Sequence, residues 1–271
     1  RPSRAQLACR THEVTVTTCK SKNAGSTCKA LFLPLLIFLI TGMGGVQAGS
    51  ILPSLKDSVR YYLSFDTGVE PDTGSLAVRE VASAQFTPGK VGNGYVVPGG
   101  TAPNVLNGVS YTVRDHPLST PGALSFWLAP VSWSDPEEVD GRGSIYLLRL
   151  EMADGAKLLI QRQGFRTTPP ERKDYLIVGL YGLRDFGAPV QCLGGTKGWK
   201  DGDYHLVVVN WNSSGFTLSV DGNAPKRVEF QRPLDPARDC PPGRDYTLTI
   251  GRGDADPETT LLDELIFYRR P

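Results

Sequence analysis

"GDYHLVVVNWNSSGFTLSVDGN", residues 202–223, decides how this chain folds. "DYHLVVVNWN" is apolar on both faces of an extended chain, as expected for a central strand covered on two sides. "GFTLSVDGN" then alternates strictly, with Phe216, Leu218 and Val220 on one face and Thr217 and Ser219 on the other. Its end, Asp221-Gly222, supplies two residues that tolerate positive φ, the requirement of a tight turn between antiparallel strands. The 22 residues therefore read as two successive strands of a two-layer structure, the second running into a tight turn.

The same period runs outward in both directions. "VRYYLSFD" sets Val59, Tyr61, Leu63 and Phe65 on one face, with Arg60, Ser64 and Asp66 opposite. Further strands are predicted at 124–131, 144–151, 156–162, 175–181, 226–230, 245–250 and 262–268. No long stretch has a helical period. Thirty glycines and 21 prolines are dispersed along the 271 residues, and turn signals recur every ten or so positions. Many short strands joined by tight turns predict an all-β, two-sheet antiparallel sandwich. A chain 40% hydrophobic and 21% charged can bury the core such a sandwich needs.

The start of the chain is of a different kind. Lys20, Lys22 and Lys29 precede an apolar run from Leu31 to Ile40, and Val46-Gln47-Ala48 ends on small residues. That is the layout of a secretory signal peptide cut after Ala48. The run at 31–40 is about half of the roughly 20 residues that span a bilayer. Pro34 and three nearby glycines weaken a longer anchor. Residues 1–48 thus read as a leader and 49–271 as a single secreted domain, with no membrane contact after cleavage. The leader holds six of the 29 Lys/Arg and one of the 28 acids, which leaves 23 against 27, a net −4, for residues 49–271. A domain with that charge and no basic patch is not a nucleic-acid binder.

Cysteine usage agrees with export. Cys9, Cys19 and Cys28 lie in the leader, so the exported domain keeps Cys192 and Cys240. In an oxidising compartment such a pair is expected to form a disulfide, worth roughly 4 kcal/mol for a loop of this length. It would tie the glycine-rich connection 184–202 to the Pro- and Arg-rich connection 231–244.

Four stretches in order, "YYLSFDTGVEPDTG", "GALSFWLAPVSW", "GDYHLVVVNWNSSGFTLSVDGN" and "LTIGRGDADPETTLLDELIFYRR", resemble the concanavalin A-like lectin/glucanase superfamily. The nearest likeness is to its laminin-G-like jelly-roll modules in secreted proteins. "FTPGKVGNGYVVPGG" is similar to the Gly-Lys-x-Gly segment after their first strand. Tyr204 is a departure, since these modules usually carry Trp there. The resemblance spans roughly 58–270. It implies a jelly roll of two six- or seven-stranded antiparallel sheets and a binding, non-catalytic role.

The enzyme branch of that superfamily is tested by its chemistry. Retaining glucanases need two carboxylates about 5–5.5 Å apart, which on one strand means acids at alternate positions. Glu138 and Asp140, with Glu137 beside them, come nearest, but they lie in a loop and lack the third acid. Asp263 and Glu264 are adjacent and would point to opposite faces. No catalytic residue is assigned.

That acid pair still demands a reason, because its neighbours Leu261, Leu262, Leu265, Ile266 and Phe267 are apolar. Asp263 shares a face with Leu265 and Phe267, and Glu264 with Leu262, Ile266 and Tyr268. One of the two must approach the core, which is costly unless it is paired, hydrogen-bonded or bound to metal. The resemblance implies a structural calcium held by Asp66 and Asp263 with loop carbonyls. The alternative is a strand-end acid bonded to backbone N–H groups or to Arg60. No cofactor is required in either case.

The tryptophans divide in two. Trp127 and Trp211 fall within strand patterns and are expected in the core. Trp133 and Trp199 fall at a strand end and in a loop, beside acids and glycines, and are the candidates for stacking on a sugar. Arg252-Gly253-Asp254 and the acceptor sequence Asn212-Ser213-Ser214 are short motifs of chance frequency. The reading is a secreted module, extracellular, periplasmic or at the cell surface, that binds carbohydrate or an extracellular protein through its loops or a concave sheet. A structural adhesion protein and, last, a glycoside hydrolase of the same fold stand as alternatives.

Overall fold

A computed structural model of the chain describes residues 53–99, 105–133, 144–166, 172–253 and 258–270. The proposed leader, its cleavage point, Glu137, Glu138, Asp140 and Asp254 lie outside the described residues.

Fifteen strands make the fold. In chain order they begin with β1 (Val59–Leu63), β2 (Ala77–Val81), β3 (Phe86–Pro88), β4 (Asn93–Val97) and β5 (Val105–Val113). Next come β6 (Gly122–Pro130), β7 (Ser144–Glu151), β8 (Lys157–Arg166), β9 (Arg172–Tyr181) and β10 (Val190–Gly195). The last are β11 (His205–Asn212), β12 (Gly215–Val220), β13 (Lys226–Glu229), β14 (Tyr246–Gly253) and β15 (Thr260–Tyr268), with one short helix, α1 (Pro236–Asp239), before β14.

They form two antiparallel sheets of eight and seven strands, so one sheet exceeds the expected six or seven. Sheet A runs β13-β12-β11-β6-β15-β4-β3, with β1 also pairing β15, and sheet B runs β10-β9-β8-β7-β14-β5-β2. Inward positions of both sheets share one apolar core. Sheet A contributes Leu124, Phe126 and Leu128 from β6, and Val207, Val209 and Trp211 from β11. Sheet B contributes Leu148, Leu150, Ile160, Val178, Leu248 and Ile250.

The two opening strands pair as a hairpin through Ser213-Ser214, but the expectation that the first is covered on two sides is corrected: Val207, Val209 and Trp211 are buried, while Val208 and Asn210 on the other face are half-buried. Trp211 pairs with Phe216 and Val207 with Val220, and Asn212 closes on Gly215. Asp221 and Gly222 both take left-handed φ, +53° and +69°. Asp221 also ties back to the start of β11, its carboxylate accepting from Leu206 N at 2.9 Å and contacting His205 Nδ1 at 2.7 Å.

Two expectations about the connections are corrected. Segment 184–202 is not a plain loop, because Val190–Gly195 adds β10 to the edge of sheet B against β9. Its glycine ending hid it. Nor does a disulfide tie 184–202 to 231–244: Cys192 and Cys240 are both free, buried thiols. Cys192 faces the core from β10 with Sγ against the Lys226 carbonyl, while Cys240 follows α1. Burial raises both thiols, Cys240 to about 12. The two connections are nonetheless joined, by charge. Arg232 grips Asp239 with two hydrogen bonds of 2.8 and 2.9 Å, and Arg232 and Arg238 both reach Asp185 across the gap. Gly187 N donates to Gln231 Oε1 beside them.

Candidate functional site

Three places were singled out by the sequence or stand out in the structure: the acid pair, the loop tryptophans, and the solvent-side face of sheet A.

The acid pair marks a fork. On one side β15 follows β6 throughout. On the other, Thr260–Leu262 pair with β4 and Leu265–Tyr268 pair with β1. Asp263 and Glu264 fall where one partner ends and the next begins. The register with β6 slips there, between Asp263 opposite Trp127 and Ile266 opposite Ser125, and Glu264 adopts φ +53°. This is a β-bulge. It reverses the parity of the strand, so Leu262 before it and Leu265 and Phe267 after it all enter the core. The expectation that Asp263 shares a face with Leu265 and Phe267, and Glu264 with Leu262, is corrected accordingly. A strict two-residue period cannot be carried across an extra residue.

Asp263 therefore faces away from the core with Trp127, and it is buried by the connection between β3 and β4. Val91 N donates to its Oδ2 at 2.9 Å, and Gly89 lies so close that a Cβ there would stand 2.6 Å from the same oxygen. Asp66 binds the same connection: its Oδ1 accepts from Asn93 N at 2.8 Å and its carbonyl from Asn93 Nδ2 at 2.9 Å. Gly92, at φ +57°, leaves no room for a Cβ against the Asp66 carboxylate. The two acids expected to cooperate thus hold one loop between them. Arg60 takes no part; it bonds the His116 carbonyl and Thr120 Oγ1 at the other end of β1.

Glu264 accepts the Tyr62 hydroxyl on both oxygens at 2.9 Å, and Asp72 accepts from Ser64 N at 2.7 Å nearby. Among the described residues no lysine or arginine forms an ion pair with any of these four acids. Burial is the main cause that lifts the Asp263 carboxyl to about 6, against the pull of backbone N–H groups and with a push from Asp66. Burial also lifts Glu264 to about 7; the Tyr62 hydroxyl opposes this, while Asp263, Asp66 and Asp72 add to it. One atom stays unanswered: the buried Asp263 Oδ1 has no hydrogen-bond donor. Among the described residues no group of three or more His, Cys, Asp or Glu side chains is arranged to hold a metal ion. Any cation here would rest on two carboxylates and on carbonyl oxygens.

Trp133 and Trp199 are brought together. Their rings stack at 5.8 Å, and Trp199 stacks in turn on His205 at 3.8 Å. The Arg162 guanidinium lies 4.5 Å from the Trp133 ring centre and pairs with Glu258, and Trp133 Nε1 donates to Thr260 Oγ1 at 2.9 Å. Both indoles also pack on the core. The stack engages these rings mainly within the protein, as aromatic groups with a polar edge commonly are.

Trp127 is the tryptophan misjudged from sequence. Leu124, Phe126 and Leu128 point inward, so Ser125 and Trp127 point out, and Trp127 is only half-buried. Alternation with Ser125 was the available signal; it was overridden by the assumption that a strand tryptophan packs. Trp211, by contrast, is in the core as expected, 3% exposed. Lys90 places its ammonium 5.0 Å from the Trp127 ring and 5.9 Å from that of Tyr204. From Trp127 the face continues through half-buried Ser125, Val208, Asn210, Thr217, Ser219 and Tyr268. Lys90 and the buried Asp263 lie at the Trp127 margin, and the Arg227–Glu229 pair lies at the other; between them the surface is made of rings, amides and hydroxyls.

No protein-family profile and no curated protein matches this sequence. Solved structures do match the fold. The binding domain of Paraclostridial Mosquitocidal Protein 1 is 13% identical with a TM-score of 0.50, over 80% of this chain and 50% of that one. The binding domain of Botulinum Neurotoxin DC, in complex with SialylT, is 8% identical with a TM-score of 0.52, over 79% and 48%. This chain spans about half the length of both. The CBM2 module of an evolved Dit protein from Lactobacillus casei BL23 phage J-1 covers 78% of this chain and 94% of its own, at 12% identity and a TM-score of 0.45. At such identities the likeness is one of fold.

Proposed function

We propose that the protein is a secreted, non-catalytic binding module of the laminin-G-like, concanavalin A-like kind, and that it takes carbohydrate on the outer face of sheet A. The observation that carries this reading is Trp127, a half-buried indole on the outer side of a sheet face whose centre is lined by neutral hydrogen-bonding groups. A sugar ring has one face of C–H bonds that fits an indole and a rim of hydroxyls that both donate and accept. Few other ligands need a ring platform and uncharged amides together. The sandwich fold shared with two binding domains supports a binding role. The test is retention on a panel of immobilised glycans, comparing the native protein with Trp127→Ala. A central aromatic anchor is worth about 2 kcal/mol or more, so the variant should lose retention on whichever glycan holds the native protein. Retention on none would turn the assignment toward a structural or adhesion protein.

A calcium ion at Asp66 and Asp263 forms part of the proposal. Its support is the orphaned, buried Asp263 Oδ1 amid like charges. A divalent cation held by these two carboxylates would neutralise the fork and fasten β15 to the connection before β4.

A further inference from the structure

Sheet A carries a second feature on the same face, a depression of about 330 Å³ over the β11–β13 hairpins. Its polar lining comes from Asn210, Asn212, Thr217 and Arg227. Asn210 lies directly opposite Thr217, and Thr217 opposite Arg227, so three neighbouring strands present one row. Asn210 Nδ2 donates to Thr217 Oγ1 at 3.2 Å, which leaves the Asn210 carbonyl to accept and the Thr217 hydroxyl to donate. Asn212 is set the other way. Its Oδ1 accepts from Ser214 N and Ser214 Oγ, both at 2.8 Å, so its amide N–H groups are offered outward. Arg227 lies 3.3 Å from Glu229, and both are well exposed. The charge at the margin is thereby cancelled.

We infer that this depression is a second sugar subsite, and that the outer face of sheet A takes a linear chain of neutral sugars, not a single ring. The inference rests on the carbohydrate reading above and extends it. Asn210 is opposite Ala123 on β6, four residues along the strand from Trp127. At about 3.4 Å per residue the two subsites are roughly 14 Å apart, with one strand spacing of about 4.8 Å to the side. No single pyranose reaches both, but a short chain does. The ground between is furnished for it. Tyr268 pairs with Ala123 from the other side, and Ser125 Oγ lies 3.4 Å from the Tyr268 hydroxyl, so a ring and a hydroxyl line the path. Neutrality follows from charge. Residues 49–271 carry a net −4, with 27 acids against 23 Lys/Arg, so the domain as a whole repels an anionic chain.

The test is calorimetric titration of the protein with β-1,3-gluco-, β-1,4-gluco-, β-1,4-xylo- and β-1,4-manno-oligosaccharides of one to six units, and with oligogalacturonides as the charged series. At least one neutral series should gain tenfold or more in affinity between two and four units. The double variant Asn210→Ala/Thr217→Val should lose that gain while binding the disaccharide as before. Thr217→Val alone, which keeps the strand's shape, should lose part of it, with an unchanged melting midpoint as the control for folding. Trp127→Ala should weaken every length. Affinity flat with length, a gain that survives the double variant, or tighter binding of oligogalacturonides would each overturn the second subsite while leaving a Trp127-dependent sugar site standing. No binding in any series would overturn both.

Discussion

Asp239 and Asp263 are buried to nearly the same degree, 4% and 0% exposed, and they behave in opposite ways. Burial alone would raise both. At Asp239 the two hydrogen bonds from Arg232, the Asp235 N–H and the charges of Arg232 and Arg238 outweigh it, and the carboxyl is held below its ordinary value. At Asp263 there is a backbone N–H but no cation, and Asp66 adds a like charge, so the carboxyl rises to about 6. The difference teaches that burial does not decide whether a carboxylate stabilises a fold; its partners do. One acid braces the connection 231–244 from within, holding the Arg232 that also reaches Asp185. The other loads a junction between strands and keeps one buried oxygen without a donor.

The largest expected effect lies on the clamp. Arg232→Ala takes both guanidinium hydrogen bonds from buried Asp239 and leaves it the exposed Arg238 at 3.3 Å; breaking a buried pair in this way costs about 3–5 kcal/mol. Urea unfolding at pH 7 should show that loss, with a melting midpoint lower by on the order of 10 °C. A loss under about 1 kcal/mol would mean that water reaches Asp239 and that the contrast is overstated.

Calcium should have the next largest effect, at the fork alone. At a hundredfold excess over Kd, a ligand specific to the folded state adds about 2.7 kcal/mol. For a domain of this size that is several degrees in the melting midpoint. Asp263→Asn should abolish the response and Asp221→Asn, in the hairpin turn, should keep it. A midpoint indifferent to calcium and chelator would leave the fork a hydrogen-bonded strand junction without an ion.

In metal-free protein the two acids also differ in pH. Asp263 and Glu264 are raised from 3.8 and 4.5 to about 6 and about 7, so between pH 4 and 7 the folded state holds more protons than the unfolded. Stability from this pair is therefore greatest at the acid end and falls as pH rises through those values. Asp239, with a lowered value, contributes above the ordinary carboxyl range and loses its contribution only as the pH drops below it. Chelated protein should unfold at lower urea at pH 8 than at pH 5. Asp263→Asn, which keeps an acceptor for Val91, should narrow that gap by about 1 kcal/mol. A native protein more stable at pH 8 would contradict the account of the fork.

The smallest effect concerns sulfur. The clamp joins the two connections without a covalent bond, so a reductant should leave the unfolding midpoint unchanged. Cys192 and Cys240 should both react with a thiol reagent in denaturant without reductant, and neither in the native state. Fewer than two would restore a disulfide to the place now given to Arg232, Asp239 and Asp185.

By itself the sequence determined the all-β class, the antiparallel sandwich, and the strands β11 and β12 with the Asp221-Gly222 turn that follows β12. These rest on side-chain alternation and turn chemistry, which are local and carried by every strand. It also marked Asp263-Glu264 as an anomaly, while Asp66 entered as its companion through the family resemblance. The short strands β2, β3 and β4, the glycine-ended β10 and the nine-residue β5, with Asn107-Gly108 inside it, are not legible in local alternation, because their pairing comes from the neighbouring strands and not from their own residues. Only the tertiary structure decided what the anomalies are. The bulge at Glu264 exists because β15 must leave β4 and join β1. The stack of Trp133, Trp199 and His205 joins residues from separate segments. Charges in place of sulfur join 184–202 to 231–244, because Cys192 turns into the core and Cys240 follows α1. Which face of a sheet meets water is written in parity, residue by residue. Which partner a buried acid meets is set by where distant strands are laid side by side, and no local pattern records that.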